Sequence, residues 1–168
     1  HTLDITNSKQ VKNFIESYRP NVIINCAAYT NVDSTEDNKE LAHNVNVNGL
    51  NNLIKYSSVN TKIVHISSDY VFDGHKSQYT ENDITRPVNY YGKTKLESEN
   101  ILIGSNREYL IFRPNVLFGP TGDNFFTFIY NSLQKNSSIN IVDDQISNPC
   151  YIPFFAKCIY DALILDCD

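Results

Sequence analysis

Short apolar runs alternate with longer segments whose apolar residues recur at helical spacing, and this alternation constrains the fold most strongly. The runs lie at 21–26, 62–67 and 108–114. Continuous apolar runs of this length are typical of parallel strands that are buried on both faces. Strands that alternate with helices indicate βαβ units. The sequence therefore predicts an α/β fold, a parallel sheet with helices on both faces.

The intervening segments provide the predicted helices. We expect helices at 36–56, 91–103, 124–134 and 154–165, and one further short strand at 139–142. The first helix is indicated by apolar residues at helical spacing, namely Leu41, Val45, Leu50, Leu53 and Ile54.

Composition and charge argue against several classes of protein. The 168 residues are 41% hydrophobic and 20% charged, as in a folded domain. A net charge of −5 argues against a nucleic-acid partner. Without a signal peptide pattern or an apolar run near the ~20 residues of a membrane helix, we expect a cytoplasmic protein with no membrane partner. Without C-x-x-C spacing, we expect reduced, mostly buried thiols and no metal site at Cys26, Cys150, Cys158 and Cys167.

Ligands of such sheets bind beyond the carboxyl ends of the strands, so the residues that follow each strand matter most. After the first strand, the small side chains of Ala27 and Ala28 would let a flat ligand approach the backbone. A plain turn of small residues explains them equally well. After the second strand come two hydroxyls and a carboxylate, Ser67, Ser68 and Asp69. A ligand site and a capped turn both fit this group.

Tyr91 and Lys95 are four residues apart, so they share one face of the predicted helix. An ammonium near a phenol favours the phenolate, and this would let a group with an ordinary pKa near ~10 act closer to neutrality. Such a pair is common by chance on solvated helix faces. Its occurrence after Ser68 and after the loop at 25–30 is what makes it informative.

This combination resembles the extended short-chain dehydrogenase/reductase family and, within it, the dTDP-4-dehydrorhamnose reductase group. The matching segments follow the order of that family and span nearly the whole chain. They are residues 3–6, 19–33, 66–74, 91–95, 122–125 and 142–145. The most specific is Ser-Ser-Asp-Tyr-Val-Phe-Asp-Gly at 67–74.

The resemblance implies three catalytic residues. Tyr91 would give a proton to the substrate carbonyl oxygen as hydride arrives from the nicotinamide. Lys95 would bind the ribose hydroxyls of the nicotinamide and hold the pKa of Tyr91 down. Ser68 would donate a hydrogen bond to the same carbonyl oxygen.

The resemblance also implies NADPH or NADH as cofactor and a nucleotide sugar, expected to be dTDP-linked, as substrate. The implied cofactor-binding residues are Asp4, Ile5, Ala27, Ala28, Tyr29, Asn46, Ser67, Tyr91, Lys95 and Arg113. The first two would flank the adenine. The implied substrate-binding residues are Ser68, Asp69, Tyr70, Val71, Asn115, Asn124, Phe125, Asp144 and Gln145. Residues 1–115 would be the C-terminal portion of the dinucleotide-binding Rossmann domain, and 116–168 part of a smaller substrate-binding lobe.

The implied function is reduction of a 4-keto-6-deoxy nucleotide sugar, as in dTDP-L-rhamnose synthesis for cell-surface polysaccharide. Another nucleotide-sugar epimerase/reductase, a dehydratase, or a regulatory subunit similar to the methionine adenosyltransferase beta chain remain alternatives. The Gly-rich phosphate loop of the family would lie upstream of residue 1, so we expect a fold that is incomplete at both ends. Val116 and Cys150 depart from the family pattern and leave the sugar open. A homodimer is common in the family.

Overall fold

The chain is described by a computed structural model, which covers residues 2–135 and 138–165. Packing divides it into two compact units, His1–Arg113 and Pro114–Asp168. This division lies two residues before the predicted boundary between 115 and 116. The dinucleotide-binding and substrate-binding roles of the two parts remain predictions.

The first unit contains a three-stranded sheet. Its strands are β1 (Val22–Asn25), β2 (Lys62–Ile66) and β3 (Tyr109–Phe112). They are all parallel and lie in the order β1-β2-β3. Each strand falls inside one of the three predicted runs. The sheet and its packed helices confirm the predicted Rossmann-type fold class.

Five α-helices accompany this sheet in the described part of the first unit. They are α1 (Ser8–Tyr18), α2 (Val32–Asp37), α3 (Lys39–His43), α4 (Gly49–Tyr56) and α5 (Tyr90–Ile103). The sequence prediction missed α1. Its signals were present: the Asn7 side chain accepts a hydrogen bond from the backbone of Gln10 as an N-cap, and Val11 and Ile15 bury one face.

The predicted continuous helix at 36–56 is wrong in detail, because the chain breaks it twice. Asn38, with φ −118° and ψ 45°, separates α2 from α3. A π-helical turn at Asn44–Asn48 then separates α3 from α4. Such turns are rare and are often found at functional sites. This one turns Asn46 into the interior, where its side chain is buried.

The core holds α4 and α5 against the sheet. One cluster joins Leu50 and Ile54 of α4 to Ile63 of β2 and Leu102 of α5. A second cluster joins Ile5, Val11, Ile15 and Leu53. Each fully buried side chain of this size contributes about 1.5–3 kcal/mol. The position of α5 relative to the end of β2 is therefore set by apolar packing.

The second unit contains two short parallel strands, β4 (Leu117–Phe118) and β5 (Cys150–Tyr151). Its described helices are α6 (Phe125–Gln134) and α7 (Ile152–Ile164). The strand predicted at 139–142 is wrong. Ile141 and Val142 are 49% and 66% exposed, so this apolar run is not buried against a partner strand.

Among residues 2–135 and 138–165, no helix is long and apolar enough to cross a membrane. Three of the four cysteines lie in this described part, and all three are free thiols. Cys26 is exposed, while Cys150 and Cys158 are half-buried, so the expectation of mostly buried thiols is wrong for them. Cys167 lies outside the described residues.

Candidate active site

The first turn of α5 carries Tyr91 to the carboxyl end of β2. The Asn89 side chain accepts a hydrogen bond from the Gly92 backbone and starts the helix. A Cβ at Gly92 would lie only 2.1 Å from the carbonyl oxygen of Tyr70. The absence of a side chain therefore lets α5 pack closely on the turn Asp69–Val71, which directly follows Ser68.

This close packing brings Ser68 and Tyr91 together. Tyr91 is buried, its ring meets the Tyr70 ring edge-on at 5.7 Å, and the Ser68 side chain lies near enough to its hydroxyl to act on its pKa. The Ser68 hydroxyl also donates to Asp69 Oδ1 at 3.1 Å and accepts from the Tyr70 backbone at 3.2 Å. Two of the three predicted catalytic side chains thus meet at one edge of the sheet.

The phenol of Tyr91 is held in its protonated form. Burial raises its pKa above the ordinary value, the nearby Ser68 hydroxyl acts in the opposite direction, and the Asp69 carboxylate adds to the increase. The expectation that Lys95 lowers this pKa is therefore not met. At neutral pH the group is an acid with a proton to give.

Lys95 lies one helical turn beyond Tyr91 and is buried. Its ammonium donates a hydrogen bond to the carbonyl oxygen of Ile66, the last residue of β2, at 2.6 Å. Burial lowers the pKa of Lys95 to about 8, against the attraction of Glu99, which raises it. The structure therefore fixes Lys95 to the strand end beside the Ser68–Tyr91 pair.

Glu99, which the sequence did not single out for a role, joins two predicted cofactor residues. The Arg113 guanidinium donates to its Oε1 from Nε at 3.0 Å and to its Oε2 from Nη2 at 2.7 Å. The Ser67 hydroxyl donates to Oε1. These contacts engage both side chains with Glu99, and the cofactor-binding roles of Ser67 and Arg113 remain predictions. The available signal was an acid four residues after Lys95, on the buried face of α5.

Asn46 holds the loop after β1 against α5. Its Oδ1 accepts from the Tyr29 backbone at 2.7 Å, and its Nδ2 donates to Tyr29 O at 3.2 Å and to Thr94 Oγ1 at 2.9 Å. The amide is thus engaged by protein groups on both its oxygen and its nitrogen. Within this structure Asn46 positions the loop that was predicted to line the cofactor path.

A buried polar chain links the end of β1 to α5. Asn25 Oδ1 accepts from the Ala27 backbone at 3.2 Å, and Asn25 Nδ2 lies 3.3 Å from His65 Nδ1. His65 Nε2 lies 3.0 Å from Ser98 Oγ, which itself donates to Lys95 O at 2.7 Å. Because the Ser98 proton is used on that carbonyl, His65 must donate from Nε2 and accept at Nδ1. His65 is therefore a neutral imidazole in one fixed tautomer.

Acid should destabilise the protein through His65. Burial lowers its pKa to about 3, whereas an unfolded histidine titrates near ~6.5. Between these values the unfolded chain binds a proton that the folded chain does not, so the free energy of unfolding falls as pH drops. We expect a loss of about 1.4 kcal/mol per pH unit below about 6. Urea unfolding of the full-length protein at pH 7 and pH 5 measures it.

His65→Gln should lose less stability than wild type over the same interval, because glutamine does not titrate. His43→Gln is the matched control, since His43 lies at the surface beside Glu97 and should leave the pH dependence unchanged. An equal loss in wild type and His65→Gln would show that other groups carry the acid sensitivity.

Comparison with known proteins assigns a family to this geometry. The profile described as RmlD substrate binding domain matches residues 1–166. The chain belongs to the RmlD substrate-binding domain family.

Individual relatives of this RmlD-family chain agree with that assignment. The crystal structure of dTDP-4-dehydrorhamnose reductase from Bacillus anthracis in complex with NADP superposes with a TM-score of 0.90 at 36% identity, over 95% of this chain and 57% of that one. The dTDP-4-dehydrorhamnose reductase of Aggregatibacter actinomycetemcomitans is 42% identical over 151 residues, which are 89% of this chain and 51% of that protein.

A relative with a different name is almost as similar. Methionine adenosyltransferase 2 subunit beta from Xenopus tropicalis is 35% identical over 155 residues, which are 89% of this chain and 46% of that protein. The chain spans about half the length of the curated relatives it matches. Both kinds of relative therefore suggest a function for the full-length protein.

Asp4 and Ile5, which were expected to flank the adenine, are held by contacts within the first unit. Asp4 Oδ1 accepts from the backbone and hydroxyl of Thr6 at 2.9 and 2.7 Å, and these bonds lower the pKa of Asp4. Ile5 is buried, and a Cβ at Gly49 would lie 2.4 Å from its Cδ1. Its carbonyl accepts from Asn52 at 2.9 Å. The Ile5 side chain thus packs inward and does not present itself to a ligand.

The remaining predicted residues of the first unit divide by exposure. Ala27 is exposed and Ala28 half-buried at the carboxyl end of β1, where a ligand can reach them. Asp69 and Tyr70 are half-buried, and burial raises the pKa of Asp69. Val71 is 0% exposed, so its side chain is not available for the substrate-binding role that the resemblance implies.

In the second unit, Asn124 has a structural task. Its Oδ1 accepts from the Thr127 backbone at 3.1 Å, while the Thr127 hydroxyl accepts from the Asn124 backbone, so the pair forms a capping box at the start of α6. Its Nδ2 donates to Gly119 O at 3.0 Å. The other predicted substrate residues of this unit are Asn115, half-buried, and Phe125, Asp144 and Gln145, all exposed. Their roles remain predictions.

Proposed function

We propose that the full-length protein reduces the 4-keto group of a 4-keto-6-deoxy nucleotide sugar with NADPH or NADH. The observation that carries this proposal is the pair of neighbouring hydroxyls, Ser68 and Tyr91, at the carboxyl end of β2 with the Lys95 ammonium one helical turn away. The similarity to proteins named dTDP-4-dehydrorhamnose reductase supports dTDP-4-dehydrorhamnose as the substrate and dTDP-L-rhamnose as the product.

The side chains fit a nicotinamide cofactor. An ammonium has three N–H groups. Among the described residues, Lys95 donates only to Ile66 O, which leaves N–H groups for ribose hydroxyls. Ala27 and Ala28 present little side chain at the neighbouring strand end, where a cofactor can approach the backbone. The cofactor supplies the hydride, and the chain supplies binding, orientation and a proton.

Tyr91 and Ser68 act on the substrate oxygen. As the carbonyl carbon gains hydride, its oxygen gains negative charge. Both hydroxyls can donate to that oxygen, and donors fixed in advance stabilise such a charge strongly. Tyr91 then transfers its proton and completes the alcohol, and the raised pKa ensures that the proton is present at neutral pH.

A second candidate function rests on the similarity to methionine adenosyltransferase 2 subunit beta. Under this proposal the chain is part of a subunit that binds a catalytic partner protein, and the Ser68–Tyr91 site has no turnover of its own. Such a protein should co-purify with its partner and keep its affinity for the dinucleotide.

The decisive assay follows oxidation of NADPH or NADH at the nicotinamide absorbance band with dTDP-4-dehydrorhamnose and full-length protein. Turnover that forms one 4-hydroxy sugar per coenzyme supports the reductase. Coenzyme binding without turnover on this or on other 4-keto nucleotide sugars contradicts it, and a co-purified methionine adenosyltransferase would then favour the second candidate.

Ser68→Ala should lower turnover by about 10²-fold, because it removes one of two donors to the developing oxyanion. The coenzyme Kd should stay unchanged, since the lost hydroxyl faces the sugar. The measurement is kcat on the full-length variant.

Ser105→Ala is the matched control for this change. Its hydroxyl donates to Leu102 O at the far end of α5, so turnover should stay at the wild-type level. A loss below about threefold in Ser68→Ala would show that another group, such as Ser67 or a water molecule, provides the donor.

We infer further that the protein works in the cytoplasm as a homodimer, with a nucleotide-sugar substrate and without nucleic-acid or membrane partners. The net charge of −5 argues against a nucleic-acid partner, and the free thiols of Cys26, Cys150 and Cys158 fit a reducing compartment. Light scattering of the full-length protein tests the dimer.

A further inference from the structure

Glu99 is a buried acid that the proposed chemistry does not use. It is 0% exposed and lies on α5 one helical turn beyond Lys95. A carboxylate in such a place costs several kcal/mol unless charges and hydrogen bonds compensate it. Its position beside the site therefore calls for a physical explanation.

The contacts of Glu99 come from two strand ends. Arg113, which follows β3, makes a forked ion pair with it, and Ser67, which follows β2, donates to its Oε1. Lys95 donates to the residue just before Ser67, the carbonyl of Ile66. Lys95 and Glu99 thus bind consecutive residues of one strand end, which places the ammonium and the carboxylate on the same side of α5.

The charged surroundings of Lys95 contain one carboxylate. The titratable groups that face it are Tyr91 and Glu99 on α5, His65 on β2, Cys26 after β1 and Arg113 after β3. Tyr91 and His65 are neutral at pH 7, for the reasons given above, and Arg113 is a cation. Among these described groups, Glu99 makes the larger contribution that favours the ammonium, and Cys26 makes the smaller one.

We propose that Glu99 is a positioning residue that keeps buried Lys95 in its ammonium form. The inference rests on the proposed function, in which that ammonium binds the cofactor ribose. Burial favours the neutral amine, and the carboxylate opposes this from one helical turn away. Arg113 holds the Glu99 carboxyl group in place through a forked contact. Without Glu99, Lys95 would lose much of its charge near physiological pH.

The test is a direct titration of Lys95 in the full-length protein without cofactor. Lysine labelled with ¹³C at Cε gives one resonance per side chain, and the resonance that disappears in Lys95→Met belongs to Lys95. In wild type its midpoint should lie at about 8. In Glu99→Gln the midpoint should fall by about one pH unit, which is the size of effect of a single nearby charge.

Glu97→Gln is the matched control. It removes the same charge from the same helix, but Glu97 is exposed and contacts His43 at the surface. It should leave the Lys95 midpoint unchanged. Glu99→Asp, which keeps the charge, should stay close to wild type and so separates charge from mere occupancy of the site.

An unchanged midpoint in folded Glu99→Gln would overturn the proposal. If that variant does not fold, wild-type protein labelled with ¹³C at the glutamate carboxyl decides the question, with Glu99→Asp for assignment. The Glu99 resonance should move with the Lys95 midpoint, and a resonance that stays still through that range would refute the coupling. The titration needs no turnover, so its failure is distinct from failure of the reductase assay.

Discussion

Tyr91→Phe should lower the turnover of the full-length protein by about 10³-fold, because it removes the only proton donor of the proposed reaction. The ring and its edge-on contact with Tyr70 remain, so the fold should persist. The measurement is single-turnover oxidation of NADPH in the presence of dTDP-4-dehydrorhamnose.

Tyr90→Phe controls for the loss of a phenol next to the site. Tyr90 precedes Tyr91 on α5, and its ring centroid lies 5.5 Å from Lys39 Nζ. Its hydrogen bond to Glu36 comes from the backbone N–H, which phenylalanine retains. It should turn over like wild type. The coenzyme Kd of Tyr91→Phe should also match wild type. Retained turnover in Tyr91→Phe would remove Tyr91 from the reaction and leave a water molecule or Ser68 as the acid.

Local pattern was enough to predict the frame of this site. Buried parallel strands appear in a sequence as short apolar runs, so the sequence predicted β1, β2 and β3. It thereby also predicted the strand end that is followed by Ser68. The spacing of Tyr91 and Lys95 on one helix face is equally local. These features follow from residues that are near in sequence, which is why the sequence revealed them.

The connections that hold the site together were not predictable in this way. Glu99 bonds Ser67 32 residues away, and Asn46 bonds Thr94 48 residues away. No spacing rule covers such pairs, because their meeting depends on how α5 packs against the sheet. The same holds for the raised pKa of Tyr91, whose main cause is burial. Sequence alone therefore named the candidate reacting groups and missed the burial and contacts that set their charge.

Two predictions about the fold were wrong because they followed local pattern at places where tertiary contacts decide the structure. Apolar residues at 139–142 suggested a strand, yet they pair with no neighbour. Apolar spacing at 36–56 suggested one helix, yet a π-helical turn at Asn44–Asn48 interrupts it. That turn buries Asn46 and lets it hold the Tyr29 backbone. The irregularity lies where the loop after β1 must be fixed to α5, so the function of the site accounts for the departure from pattern.

Gly92→Ala should damage the site without touching a reacting group. The added methyl would meet Tyr70 O at 2.1 Å and the Pro87 side chain at 2.9 Å, and a backbone carbonyl cannot yield as a flexible side chain can. Either α5, which carries Tyr91, or the turn Asp69–Val71, which follows Ser68, must move. A misplacement of about 1 Å costs about 10²-fold in rate, and overpacking costs about 1–3 kcal/mol of stability. Turnover and urea unfolding of the full-length variant measure the two losses.

Gly104→Ala separates this steric effect from the general cost of altering a glycine of this helix. Gly104 follows α5 with φ −73°, and a Cβ there would approach Asn100 O at 3.3 Å, which a small adjustment relieves. It should keep wild-type turnover. If Gly92→Ala also kept its rate, the spacing between α5 and the turn would not set the reaction geometry. If Gly92→Ala lost stability but kept its turnover, the close approach of α5 to the turn would serve folding only. Ser68 and Tyr91 would then reach their relative position by local adjustment.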